Sequence, residues 1–91
     1  MKKAIITFVG KDNVGIIARV CTYLAGRNIN ILDISQTITG GYFNMMMVVD
    51  FGANEDGLFD TVASDLSRIG DELALRIRCQ KEEIFERMHR I

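Results

Sequence analysis

The sequence predicts an α+β fold, an antiparallel four-stranded sheet with two helices on one face. Three observations carry this. Stretches with strand character and helical character follow one another in the order β-α-β-β-α-β. A Gly40-Gly41 pair joins the second and third strands as a tight hairpin. Apolar residues make up 48% of the 91, enough for one core and too many for a disordered chain.

Strand one is expected at about residues 3–9, where Ala4-Ile5-Ile6-Thr7-Phe8-Val9 concentrates β-branched and aromatic side chains. A polar turn follows, Gly10-Lys11-Asp12-Asn13. Helix one is expected from about Val14 to Ala25. Ile17, Val20, Cys21 and Leu24 fall at i, i+3, i+4 and i+7 and form one buried stripe. Gly26 and Asn28 supply the stop.

Residues 29–39 and 42–51 form the hairpin, because Gly-Gly accepts the positive φ values of a type I′ turn. In that register one face pairs Ile38 with Phe43, Gln36 with Met45, Ile34 with Met47 and Leu32 with Val49. This face is nearly all apolar and is turned to the helices. The other face pairs Thr39 with Tyr42, Thr37 with Asn44, Ser35 with Met46 and Asp33 with Val48. Ile31 joins it and, with Met46 and Val48, leaves it too apolar to be wholly solvated. A slip of one residue would mix the two faces.

Residues 52–57 read as a loop, with Asn54 as N-cap and Glu55 and Asp56 placed against the helix dipole. Helix two turns Leu58, Phe59, Val62, Leu66 and Ile69 inward and ends at Gly70. Strand four, at about residues 72–80, sets Leu73, Leu75, Ile77 and Cys79 against Arg76 and Arg78. In the tail, Ile84, Phe85, Met88 and Ile91 have helical spacing, which predicts a short amphipathic C-terminal helix over 81–91.

Right-handed crossovers and the hairpin make this order a split βαβ, or ferredoxin-like, sandwich. Strand one is then central, and strands two and four are edges. Strand two is about ten residues long against a usual five or six. Only Asp33 breaks its edge with a charge. An edge of that kind invites pairing with a second copy, so a homodimer is expected.

Composition excludes several functions. Eleven basic and twelve acidic residues leave a net charge of −1, with no field of one sign to attract nucleic acid or a charged membrane. No apolar run approaches the roughly 20 residues that span a bilayer. Met1-Lys2-Lys3 precedes too short an apolar stretch for a secretory signal, so a cytoplasmic location is expected.

Catalytic material is scarce. Cys21 and Cys79 are far apart in apolar stretches and read as packed thiols, not a disulfide or a metal pair. His89 is the only histidine and has no positioned partner nearby. Ser35, Ser64 and Ser67 lack the setting of a nucleophile elbow. Gly10-Lys11-Asp12-Asn13-Val14-Gly15 lacks the length and the Gly-Lys-Ser ending of a P-loop. Phe8 and Phe43 do not make an RNA-stacking platform, because Phe43 faces the helices in the predicted register. No enzyme, cofactor or metal is expected.

The turn before helix one offers binding instead. Backbone N–H groups at a helix N-terminus suit a carboxylate. Gly15 lets a ligand or another backbone approach closely. Asp12 accepts from an ammonium group, and Asn30, at the start of strand two, both donates and accepts. Together these match the backbone of an amino acid. The same residues also have a purely structural reading. Asp12 or Asn13 then caps the helix, Gly15 permits tight helix–sheet packing, and Asn30 sits in a turn.

Asp12-Asn13-Val14-Gly15-Ile16, followed by Val20, Leu24 and Asn28-Ile29-Asn30-Ile31, resembles the ACT domain pattern. That pattern is D-x-x-G-hydrophobic, a helix, then Asn-hydrophobic opening strand two. The ending Ile84-Phe85-Glu86-Arg87-Met88-His89-Arg90-Ile91 is similar to that of small stand-alone ACT proteins of the UPF0237 group. The resemblance covers nearly the whole chain and implies one ACT-like domain over residues 1–91. It implies a regulatory module that binds an amino acid or another small effector across a dimer interface.

Carried over residue by residue, it assigns the effector to Asp12 and Asn30, with Gly15 as the loop glycine. Asn13, Val14 and Ile31 complete the expected site. Some members use a side chain where this chain has Gly10. Two other readings stand beside this one. One is a protein-interaction module without a small ligand, using the mixed sheet face and the tail. The other is an acyl phosphate hydrolase, which would want an arginine in the loop, whereas Arg19 and Arg27 fall on helix one.

Overall fold

The computed structural model describes residues 3–11, 14–52 and 56–82. They form β1 (Lys3–Lys11), α1 (Ile16–Gly26), β2 (Asn30–Thr39), β3 (Tyr42–Asp50), α2 (Asp56–Leu73) and β4 (Leu75–Lys81). The four strands make one antiparallel sheet in the order β2-β3-β1-β4, the ferredoxin-like arrangement expected, with β2 and β4 at its edges. Asn54, Glu55 and the tail beyond Glu82 lie outside the described residues.

One face of the sheet carries the core. Ala4, Ile6 and Phe8 of β1 and Phe43, Met45, Met47 and Val49 of β3 are buried against Ile16, Val20 and Leu24 of α1 and Val62, Leu66 and Ile69 of α2. The helix-one stripe differs from the one expected. Ile16 is buried, and Ile17 is 37% exposed. Two adjacent apolar residues compete for the inward position, and the periodicity of a short helix does not choose between them. α1 opens at Ile16, two residues after the expected start, and that rotation sends Ile16 inward.

The stop of α1 rests on Asn28, which takes φ 58. Ile29 N–H donates to the Leu24 carbonyl at 3.0 Å and Asn28 N–H to that of Ala25 at 3.1 Å. This is a Schellman ending, and the buried Leu24 and Ile29 give it the usual apolar contact. Gly26 is an ordinary helical residue within α1.

Gly70 does not end α2. The helix continues to Leu73, and Ala74 turns the chain with φ 57. A Cβ at Gly70 would lie 2.6 Å from the Leu75 carbonyl oxygen and 3.1 Å from Ile77 Cγ1. The glycine therefore lets α2 rest directly on β4, which begins at Leu75 and not at residue 72.

The hairpin turn has φ 58 at Gly40 and 82 at Gly41, as a type I′ turn requires. The predicted pairing holds from Thr39↔Tyr42 down to Asp33↔Val48. A bulge at Leu32 then shifts the register, so that Ile31 and not Leu32 faces Val49. Ile31 is thereby moved from the open face, where it was expected, to the helix side, where it packs on the core. The sequence carries no glycine to announce this bulge.

Polar side chains fasten the two helices. Tyr23 OH donates to Asp65 Oδ2 at 2.5 Å, and Arg27 and Arg68 each reach the same carboxylate at 3.2 Å. The Arg27 guanidinium also lies over the Tyr23 ring, 5.7 Å from its centroid. Arg19 pairs with Glu72 at 2.7 Å. Burial, and then the bond to Asp65, push the Tyr23 hydroxyl up to about 12. The same bond, ahead of the two arginines, holds the Asp65 carboxyl below its usual value.

Two outcomes follow. Gly70→Ala is expected to cost about 1–3 kcal/mol in urea unfolding, because the added methyl meets backbone and not a movable side chain. Asp65→Asn is expected to lower the Tyr23 titration from about 12 toward the ordinary 10, followed as tyrosinate absorbance. The folded state favours the neutral phenol. Its contribution is therefore whole below pH 10 and fades as pH rises toward 12. An unmoved midpoint in the variant would show that burial alone sets the shift.

Candidate functional site

Between β1 and α1 the chain turns at Gly15, which has φ 88 and ψ 4 and occupies the N-cap position. Its carbonyl accepts the Arg19 N–H at 2.9 Å. Neither Asp12 nor Asn13 holds the cap position, and both lie outside the described residues. A Cβ on Gly15 would meet nothing within 4 Å. Tight helix–sheet packing is therefore not its reason. Its left-handed backbone is, and the open space beside it leaves room for a ligand. Val14 is fully exposed next to it. The first turn of α1 carries no acidic side chain, so its N–H groups keep their affinity for an anion.

Gly10 has a packing reason. A Cβ there would stand 2.7 Å from Leu75 Cδ2 and 2.9 Å from the Ala74 carbonyl oxygen. The start of β4 crosses too close to admit the side chain that some related loops place at this position.

Asn30 is exposed, pairs with Asp50 and sits on the sheet face away from the helices. Ile31 is half-buried against the core and does not line the surface beside it. The sheet register fixes how far Asn30 is from Gly15. Lys11, which leads into the loop, faces Tyr42 and through it Thr39. Lys3 faces Asp50 and through it Asn30. Eight residue steps at about 3.3 Å put these two ends roughly 26 Å apart. One chain does not bring the Gly15 loop and Asn30 together.

In the predicted register the β2 face that carries Leu32, Ile34 and Ile38 is turned to the helices. Leu32, Ile34 and Ile38 are 43%, 40% and 53% exposed. Ile34 and Ile38 lie on the helix side, opposite the buried Met47 and Phe43, yet an edge strand projects past the helices. The signal in the sequence was the strand order, which makes β2 an edge whatever its face carries. On the open face, Thr7, Val9, Ser35, Thr37, Asn44 and Met46 line a shallow depression of about 270 Å³, with no charged group among them.

The remaining chemistry is quiet. Cys21 and Cys79 are both free and half-buried, and burial pushes the Cys79 thiol up to about 12. No group of metal-ligating side chains occurs among the described residues. No helix among them is long and apolar enough to cross a membrane. Arg19 and Arg27 are engaged with Glu72 and Asp65 and do not enter the loop.

The chain thus places a loop cornered by Gly15 before a helix N-terminus without acidic side chains, on a ferredoxin-like sheet. The model of the ACT domain matches residues 2–80. An ACT domain protein from Streptococcus pneumoniae is 42% identical, covers 93% of this chain and 94% of its own, and superposes with a TM-score of 0.80. A UPF0237 protein of Bifidobacterium longum is 64% identical over the full length of both chains. The regulatory subunit of aspartate kinase from Thermus thermophilus, at 23% identity, shares the fold with a TM-score of 0.66, over 87% of this chain and 50% of that one. The chain belongs to the ACT domain family, and within it to the UPF0237 group. ACT domains are regulatory ligand-binding modules.

Proposed function

We propose that this chain is a non-catalytic regulatory module that dimerises along β2 and binds a small amino-acid-like effector between the two copies, in the cytoplasm. The supporting observation is the placement of the Gly15 loop and Asn30 at opposite ends of the sheet, joined by an exposed apolar edge strand. Two β2 strands that pair antiparallel about a two-fold axis run in opposite directions. The start of each then meets the end of the other, so Asn30 of one copy comes to the loop end of its neighbour. Pairing also covers Leu32, Ile34 and Ile38 and satisfies the open edge. Each dimer has two such crevices.

In each crevice the N–H groups opening α1 receive the effector's carboxylate. Asn30 from across the interface donates and accepts, and Asp12 takes the ammonium group. The effector acts by favouring one dimer geometry over another, through its difference in affinity for the two. A second reading, a protein-interaction module without a small ligand, is favoured by Val9, Tyr42 and Met46, which are 50%, 56% and 40% exposed on the open face.

Sedimentation is expected to give twice the 10.2 kDa chain mass, and Ile34→Lys to return the single mass. Calorimetry against the common amino acids is expected to find one that binds the wild type, with Asn30→Ala weakening it by about 1–3 kcal/mol. A lone 10.2 kDa species at high concentration would sink the dimer. A dimer that gives no heat with any amino acid at millimolar concentration would leave the interaction reading in its place.

A further inference from the structure

We propose that the open face of the sheet holds a second small-molecule site, separate from the crevice at Gly15, and that it takes a phosphate monoester with a small uncharged body. The depression lined by Thr7, Val9, Ser35, Thr37, Asn44 and Met46 lies across β1, β3 and β2, in the middle of that face. Strand alternation sets three hydroxyls and one carboxamide around two apolar side chains, so its floor both donates and accepts hydrogen bonds. Its volume is about 270 Å³. At roughly 30 Å³ per water this equals about nine waters, room for a small organic molecule.

The fourth strand supplies the charge. Arg78 stands opposite Thr7, and Arg76 stands opposite Val9. Side chains directly opposite on antiparallel neighbours share a face, with Cβ atoms about 5 Å apart. Both arginines therefore border the depression along its β1 side. They are two residues apart, roughly 6.6 Å along β4, which lets both guanidinium groups serve one group held between them. Both are exposed, and among the described residues neither side chain has a hydrogen bond or an ion pair. Arg19, Arg27 and Arg68, by contrast, are engaged with Glu72 or Asp65. The carboxylates of this face, Asp33 and Asp50, lie at its Ile5 end, and Asp50 accepts from the Gly52 N–H at 2.7 Å. Neither lines the depression.

The donors select the anion. One guanidinium presents a fork of N–H groups that a single carboxylate fills with its two oxygens. Two forks on one strand, with the Thr7 hydroxyl beside Arg78, call for more acceptors than that. A phosphate monoester brings three terminal oxygens and a charge of about −1.5 to −2 near neutral pH. Its body then lies over Val9 and Met46 and meets Ser35, Thr37 and Asn44. The body needs no charge, because the lining carries none.

The test titrates the full chain with glycerol 3-phosphate and, separately, with inorganic phosphate, following backbone amide and arginine Nε–H resonances. Saturable shifts are expected with the ester at Thr7, Val9, Thr37, Asn44, Arg76 and Arg78, and weaker binding with inorganic phosphate. Arg76→Gln combined with Arg78→Gln is expected to weaken the ester by roughly tenfold or more. Arg76→Lys combined with Arg78→Lys keeps the charge and removes the forks, and is expected to weaken it as well. Both pairs are exposed, so the fold survives either change. Shifts that never saturate, or equal binding of ester and inorganic phosphate, would overturn the proposal. So would shifts centred on Gly15 and the first turn of α1, or a lysine variant that binds as tightly as the wild type.

Discussion

β1 is bonded to a strand on each side, β3 and β4, and its Ala4, Ile6 and Phe8 are at most 1% exposed. Everything else is arranged around that seam. The alternation of β1 sends three side chains under the helices, so α1 and α2 must both lie on one face. Two close approaches follow from it. Gly10, at the end of the seam, admits the start of β4, and Gly70 admits the same strand from the helix side. Both glycines are set by the close approach of the first residues of β4, and neither by a turn.

The candidate site is a by-product of the same geometry. The chain leaves β1 at one end of the sheet and re-enters β2 at the other. A single copy therefore has a loop with room for a ligand at one end and an exposed asparagine at the opposite end. The bulge at Leu32 sharpens the division, since it turns Ile31 into the core and puts Asn30 on the open face. The proposed pairing rests on this separation, because a second chain running the other way would bring its Asn30 to the loop end.

Solvent reaches the sheet unevenly for the same reason. Helices cover the middle of one face and leave the β2 edge bare, so Ile34 and Ile38 are exposed although their partners Met47 and Phe43 are buried. Apolar side chains lodged there gain little from a monomer and much from a partner. On the opposite face the buried Ile5 and the exposed Val9 divide one strand into a covered and an uncovered half.

Much was legible in the sequence alone. The order of elements, the edge position of β2 and the hairpin register followed from alternation and from Gly40-Gly41, because these are local or nearest-neighbour rules with a period of two. The motif around Gly15 and Asn30 was equally visible and pointed to the family. What the sequence left open depended on contacts between distant residues. It did not choose between Ile16 and Ile17, tell a packing glycine at Gly70 from a stop, reveal the bulge at Leu32, or measure the separation of Gly15 from Asn30. Helix rotation, close approach and bulges are decided by which surface lies opposite, and only the packed sheet and helices put that surface in place.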